Sequence, residues 1–254
     1  GNANFSAAAL VRFATFGVLL GTTQLIPQLV QTEFGYTAYL AGLVITPGAL
    51  VIIALMPMVG FLVGRVQARL LIAGGLVILG VSLFHMAGFP PDTSFRHVLW
   101  ARCLQAAGVA FLVVPTTSVA YLGVPENKSG DASALINLSR NLGGSVGIAI
   151  AQTWLARRAD LHQARMVSHL TSSSLAFRTA LARAATRFAE LGSGPTEARH
   201  RAAGAIYGAV QHQAMLLAYD DVFYAMGVCS LLVLGVVFFL RPNHPGARKP
   251  AAAH

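Results

Sequence analysis

The stretch that decides the fold runs from Leu40 to Val63 and reads LAGLVITPGALVIIALMPMVGFLV, followed by GRVQAR as far as Arg69. No charge interrupts it between Leu40 and Val63. A bilayer's hydrocarbon core is about 30 Å thick, and about 20 predominantly apolar helical residues cross it. Lipid offers no partner to a backbone N–H or C=O, so a run this long and apolar is predicted to be a helix. Five more runs of similar length flank it: Ala7–Val30, Leu70–Ala87, Val98–Leu122, Ala132–Leu155 and Val222–Leu240. The predicted fold class is all-α, a polytopic bundle of six transmembrane helices. A chain that is 55% hydrophobic and only 11% charged fits no ordinary soluble domain.

The expected organisation follows from these runs. Residues 1–155 hold five spans with short loops. Residues 156–221 form a long extracytoplasmic amphipathic loop. The sixth span is 222–241, and 242–254 are a cytoplasmic tail. The chain begins at Gly1, and its first run has no basic region and small-residue cleavage site. It therefore reads as a span and not a signal peptide, with further residues expected upstream. Cys103 and Cys229 fall inside spans and make no disulfide framework.

The net charge of +9 is concentrated. Between Arg157 and Arg201 lie Arg157, Arg158, Arg165, Arg178, Arg183, Arg187, Arg199 and Arg201 against Asp160, Glu190 and Glu197. Only Phe177 and Phe188 stand among these arginines, too few for the stacked aromatics a single-strand platform requires, so no nucleic-acid partner is expected. In the same segment Phe177, Leu181, Ala184, Phe188 and Leu191 recur at helical spacing. Gly192–Pro195 breaks that helix, and Thr196 is placed to cap the next. The helix reads either as interfacial or as a cap on the chain's own spans. Asp220 and Asp221 precede the last span, where a helix N-terminus favours negative charge.

An even number of spans puts both ends on one side. Arg12, Arg65, Arg69, Lys128, Arg241, Arg248 and Lys249 share that side, whereas the short loops opposite carry only Arg96. The positive-inside rule places both termini in the cytoplasm. The long Arg-rich segment is exempt, because loops beyond about 60 residues translocate largely regardless of charge.

Polar residues inside the spans are the candidate functional residues. Gln24, Gln28 and Gln31 fall at i, i+4 and i+7, which sets three amides on one helix face. Amides are costly in lipid, so this face lines either a substrate pathway or a hydrogen-bonded helix contact. Arg102 and Arg140 lie inside spans, where a charge marks function by default and snorkelling is the alternative. Gln105 stands one turn from Arg102, and Asn137 and Asn141 flank Arg140. His85 ends the third span as an interfacial residue. Gly17-x-x-x-Gly21, Gly60-x-x-x-Gly64 and Gly143-x-x-x-Gly147 permit close helix approach. No carboxylate lies mid-span, and no catalytic motif or metal spacing occurs, so no enzyme activity and no cofactor are expected.

The loop Gly60-Phe61-Leu62-Val63-Gly64-Arg65-Val66-Gln67-Ala68-Arg69 resembles the Gly-x-x-x-Asp-Arg-x-Gly-Arg-Arg loop of the major facilitator superfamily. Gly60, Arg65 and Arg69 match. Gly64 replaces the acid and Gln67 the second glycine, as in the degenerate copy of the second half of such transporters. Pro27–Gln31 with Gly35-Tyr36, Arg102-x-x-Gln105-x-x-Gly108 with Pro115, and Asn137-x-x-Arg140-Asn141-Leu142-Gly143-Gly144 are similar to segments of the fourteen-span drug/proton antiporter branch, the EmrB/QacA type. The resemblance covers Phe5 to about Pro242. It implies the last six spans of a transporter that exports hydrophobic or amphipathic compounds against protons, with the N-terminal half as partner. The loop residues Gly60, Gly64, Arg65 and Arg69 would then govern conformational change. Two other readings stand beside it. One is the membrane domain of an ATP-driven exporter, which requires longer inner loops. The other is a membrane-embedded assembly or lipid-binding subunit.

Overall fold

The computed structural model describes residues 3–90, 93–120, 129–170 and 174–238. Lys128, Ser173, Arg241, Arg248, Lys249 and the expected tail lie outside the described residues. Seven helices follow in order: α1 Ala3–Thr32, α2 Ala38–Val63, α3 Ala68–Met86, α4 Phe95–Ala120, α5 Ser129–Ser168, α6 Leu175–Glu190 and α7 Pro195–Val237.

Local chemistry sets the helix ends. At the α1–α2 turn, Gly35 takes φ +66°, a left-handed conformation that disfavours other residues. Thr37 then caps α2, its Oγ1 accepting from the Leu40 N–H at 3.3 Å. Ser174 caps α6 in the same way, accepting from the Phe177 N–H.

Helices α1, α2, α3, α4 and α7 are each long and apolar enough to cross a membrane. The chain is a multi-pass membrane protein. α5 is 40 residues long, about 60 Å of helix. The band Asn137, Arg140 and Asn141 dilutes its apolar character, which is why it stands apart from the other five.

The segment expected as a loop at 156–221 is mostly helix. α5 continues past Leu155 to Ser168, and α7 starts at Pro195, well ahead of Val222. Two local readings change in consequence. The first residue of α7 is Pro195, so Thr196 sits inside the helix and does not cap it. Asp220 and Asp221 lie deep within α7 and not at its N-terminus. Asp221 is met there by side chains of α5 and not by a helix end.

The residues form two compact units, one of residues up to 152 with those from 222 onward, the other of 153–221. In the first, α4 packs against α3, α2 and α1. Gly75 and Gly108 make the α3–α4 approach possible: a Cβ at Gly75 would stand 2.9 Å from the Gly108 carbonyl. α7 joins α3 through Ser230, whose Oγ donates to the Leu76 carbonyl at 2.9 Å, and through the Phe84–Tyr224 ring contact. α2 turns Leu43, Leu50, Ile53, Met56 and Phe61 outward, apolar groups suited to lipid or to another helix.

In the second unit, α5 and α7 are joined by polar contacts. Asp221 Oδ2 lies 2.8 Å from His162 Nε2 and 3.5 Å from Arg158 Nε. Gln163 donates to the Tyr207 hydroxyl at 2.9 Å. α6 buries no side chain fully.

Candidate functional site

The polar residues of the first unit gather mainly along α1. Arg102 and Gln105 sit one turn apart on α4, and both face inward. Gln105 is fully buried, and Arg102 is 6% exposed. Arg102 Nη1 donates to Gln105 Oε1 at 2.5 Å. Gln105 Nε2 donates in turn to Thr22 Oγ1 on α1 at 2.8 Å. Thr22 passes its own proton to the Val18 carbonyl at 2.7 Å. The result is a directed chain of donors from guanidinium to α1 backbone.

Gly48 of α2 makes the space for it. A Cβ there would stand 3.3 Å from Arg102 Cγ and Nε. The arginine is thus packed between its own helix and Gly48 of α2. A charge at a span centre costs about 2.5–3.5 kcal/mol on insertion scales, and less toward the ends, nearer to which Arg102 stands. A neutral amide is its hydrogen-bond partner, and Arg102 Nε has no partner in the described structure.

The three amides of α1 have separate fates. Gln28 Oε1 accepts from Gln152 Nε2 of α5 at 2.8 Å. Gln31 Nε2 bonds back to the Pro27 carbonyl at 3.0 Å. Gln24 is exposed. The shared face therefore holds one interhelical bond, one local bond and one open amide.

Below Gln28 the same two helices meet through glycine. A Cβ on Gly17 would stand 3.0 Å from the Gly143 carbonyl, and one on Gly21 3.0 Å from the Gly147 carbonyl. Two of the three small-residue motifs are thus partners of each other. The third is different: nothing lies within 4 Å of a Cβ at Gly60.

Arg140 Nε reaches Asn141 Oδ1 at 3.4 Å, and its guanidinium lies 5.9 Å from the centre of the Phe16 ring on α1. Asn137 is exposed on α5. This group remains separate from the Arg102 chain in its recorded contacts.

The α2–α3 turn is tight. The Arg65 and Val66 N–H groups both donate to the Leu62 carbonyl, at 2.9 and 2.7 Å. Arg65 stacks on Phe61 at 3.9 Å. Arg69 Nε donates to Gln67 Oε1 at 2.8 Å. Gln67, standing where the resembled loop has glycine, thus supplies the neutral acceptor for an arginine in a turn without a carboxylate. Gly64 ends α2.

Sequence reasoning missed Thr22, Gly48 and Gln152. A threonine or glycine in an apolar run gives no signal of what stands across from it. Gln152 was detectable as one more amide within a span. Arg12 was read as one of the positive charges on the inner side, yet it is 6% exposed and donates from Nη1 to Thr117 Oγ1 at 2.8 Å. No group of three or more His, Cys, Asp or Glu able to hold a metal ion occurs among the described residues.

Where α1, α5 and α7 meet, an apolar cleft of about 280 Å³ is lined by Phe13, Gly17, Val146, Ile150, Met226 and Cys229, among others.

Residues 2–148 match the family model described as Major Facilitator Superfamily. The Multidrug export protein EmrB of Escherichia coli K12 is 28% identical over 99% of this chain and 48% of its own length. The Fatty acid resistance protein FarB of Neisseria gonorrhoeae is 26% identical over 94% of the chain and 46% of its own length. The Multidrug resistance protein Stp of Mycobacterium tuberculosis H37Rv is 36% identical over 62% of the chain and 29% of its own length. The chain spans about half the length of the first two relatives.

Proposed function

Since this chain belongs to the Major Facilitator Superfamily, we propose that it forms the C-terminal half of a proton-coupled transporter exporting hydrophobic or amphipathic compounds from the bacterial cytoplasm. The observation that carries this reading is the alignment of 99% of the chain with 48% of the length of a multidrug export protein. The site residues agree with it in their chemistry. A buried arginine inside a span has no structural advantage over an apolar residue, and such groups mark transport pathways. Arg102, with Gln105 as its partner, is assigned to the conformational cycle. Gln24, Gln28 and Gln31, with Asn137, Arg140 and Asn141, supply the polar groups of the pathway wall. The apolar cleft offers a surface of the kind that hydrophobic compounds occupy.

The N-terminal half of the transporter is the proposed partner, and it would provide the carboxylate that coupling to protons needs. Both termini of this chain are assigned to the cytoplasm and the protein to the inner membrane. The short α2–α3 turn supplies no long coupling loop of the sort an ATP-driven exporter requires. The test uses the full-length protein in vesicles with an imposed pH gradient. Dye extrusion that collapses when the gradient is dissipated is the expected result. Extrusion that persists without a proton gradient but requires ATP overturns the reading.

A further inference from the structure

The Arg102 chain has a counterpart at the other end of the same helix pair. On α1, Thr22 meets Gln105 of α4; farther toward the α1 N-terminus, Arg12 meets Thr117 of α4. Descending α1 from 22 to 12 ascends α4 from 105 to 117, so the two helices are antiparallel. At 1.5 Å per residue the two contacts are about 15–18 Å apart along the seam, half the thickness of a hydrocarbon core.

The two contacts share one chemistry. Thr22 Oγ1 donates to its own Val18 carbonyl at 2.7 Å, and Thr117 Oγ1 donates to its own Val113 carbonyl at 2.8 Å. Each hydroxyl proton is thereby committed within its helix. Each oxygen can then only accept across the seam, and each is met by an N–H donor. One donor is Arg12 Nη1, a charge-assisted bond of 2.8 Å. The other is Gln105 Nε2, also at 2.8 Å, whose carbonyl oxygen is taken by Arg102. Both arginines are 6% exposed. Each lies in the N-terminal third of its own helix; Arg12 meets a threonine of the other helix directly, and Arg102 reaches one through Gln105. The arrangement is reciprocal, as contacts related by a two-fold axis are.

We propose that Arg12–Thr117 is a second lock, matching Arg102–Gln105–Thr22, and that the pair holds α1 and α4 together as one rigid wall during transport. Arg12, Thr22 and Thr117 are positioning residues for the transport cycle. The claim about transport rests on the function proposed above; the existence of the locks does not. Rigid-body motion of a half requires its packed helices, α1 and α4 among them, to move together at both ends. A single contact would leave the opposite end free to splay.

The experiment uses the full-length protein carrying Thr117→Val or Thr22→Val. Each change keeps the branched shape and removes the acceptor. Thr117→Ser and Thr22→Ser keep the acceptor. Hydrogen exchange of the detergent-purified protein reads the locks directly. Thr117→Val is expected to speed exchange in α1 residues 8–15 and leave 18–26 as in wild type, and Thr22→Val the reverse. Exchange unchanged at both ends, or raised uniformly, overturns the locks. Efflux of the lipophilic dye N-phenyl-1-naphthylamine from vesicles with a pH gradient reads their role. Each Val variant is expected to lower kcat about tenfold with KM within about twofold, and each Ser variant to restore kcat. Wild-type kcat in the Val variants overturns the positioning role. A wild-type protein that moves no dye overturns the transporter reading and the role with it, while exchange still decides the locks.

Discussion

Gln152 Nε2 donates to Gln28 Oε1 across 2.8 Å, joining α5 to α1 just past the point where glycine brings the two helices together. The central amide of the α1 row is therefore a cross-link. Gln28→Leu is expected to cost about 0.6 kcal/mol of stability, the average for an interhelical bond in a membrane. A double-mutant cycle with Gln152→Leu, read by thermal unfolding in detergent, should return a coupling of that size. Gln24→Leu, at an exposed position, should leave stability unchanged and alter the substrate spectrum. Additive effects of the 28 and 152 changes would separate the two residues.

The glycine pairs of α1 and α5 make a second expectation. A Cβ at Gly147 would fall on the Gly17 backbone, and one at Gly143 on the Phe13 carbonyl. Backbone cannot rotate away as a side chain can. Gly147→Ala is expected to lose about 1–3 kcal/mol. Gly60→Ala meets open space and should be neutral or slightly stabilising. Melting temperatures of the two variants, measured side by side, check this; equal values would remove the role given to close approach.

For Arg102, Leu should abolish gradient-driven efflux while membrane abundance persists or rises, because insertion no longer carries a charge. Lys should restore efflux only in part. It keeps the charge and loses the planar fork that addresses Gln105. Efflux normalised to abundance in the full-length protein is the measurement, and wild-type efflux from Arg102→Leu would strip the residue of any function.

Orientation is tested by an impermeant thiol reagent on intact cells lacking native cysteines. Both Gly64 and Thr179 are exposed, so a cysteine at either is reachable from its own side. Labelling is expected for Thr179→Cys and not for Gly64→Cys. The opposite result would invert the topology.

The membrane class of this chain was legible in the sequence because lipid imposes a simple rule on any backbone that crosses it. A run such as Leu40–Val63 has no other stable form, whatever surrounds it. The α2–α3 turn and the glycine spacings could be read for a related reason: both are local. The limits of the reading were also physical. Between Arg157 and Asp221 the spacing from Phe177 to Leu191 and the break at Gly192–Pro195 were legible, whereas the run of α5 on to Ser168, through good helix formers such as arginine and alanine, was not. Which glycines pair, which glutamine finds another and which arginine is enclosed depend on neighbours distant in sequence. Thr22 and Gln105 are 83 residues apart, and Arg12 and Thr117 are 105 apart. A threonine's lone pair carries no mark of the donor that will meet it. Helices were decided by composition and by the solvent around them, whereas the locks between helices were decided only by packing.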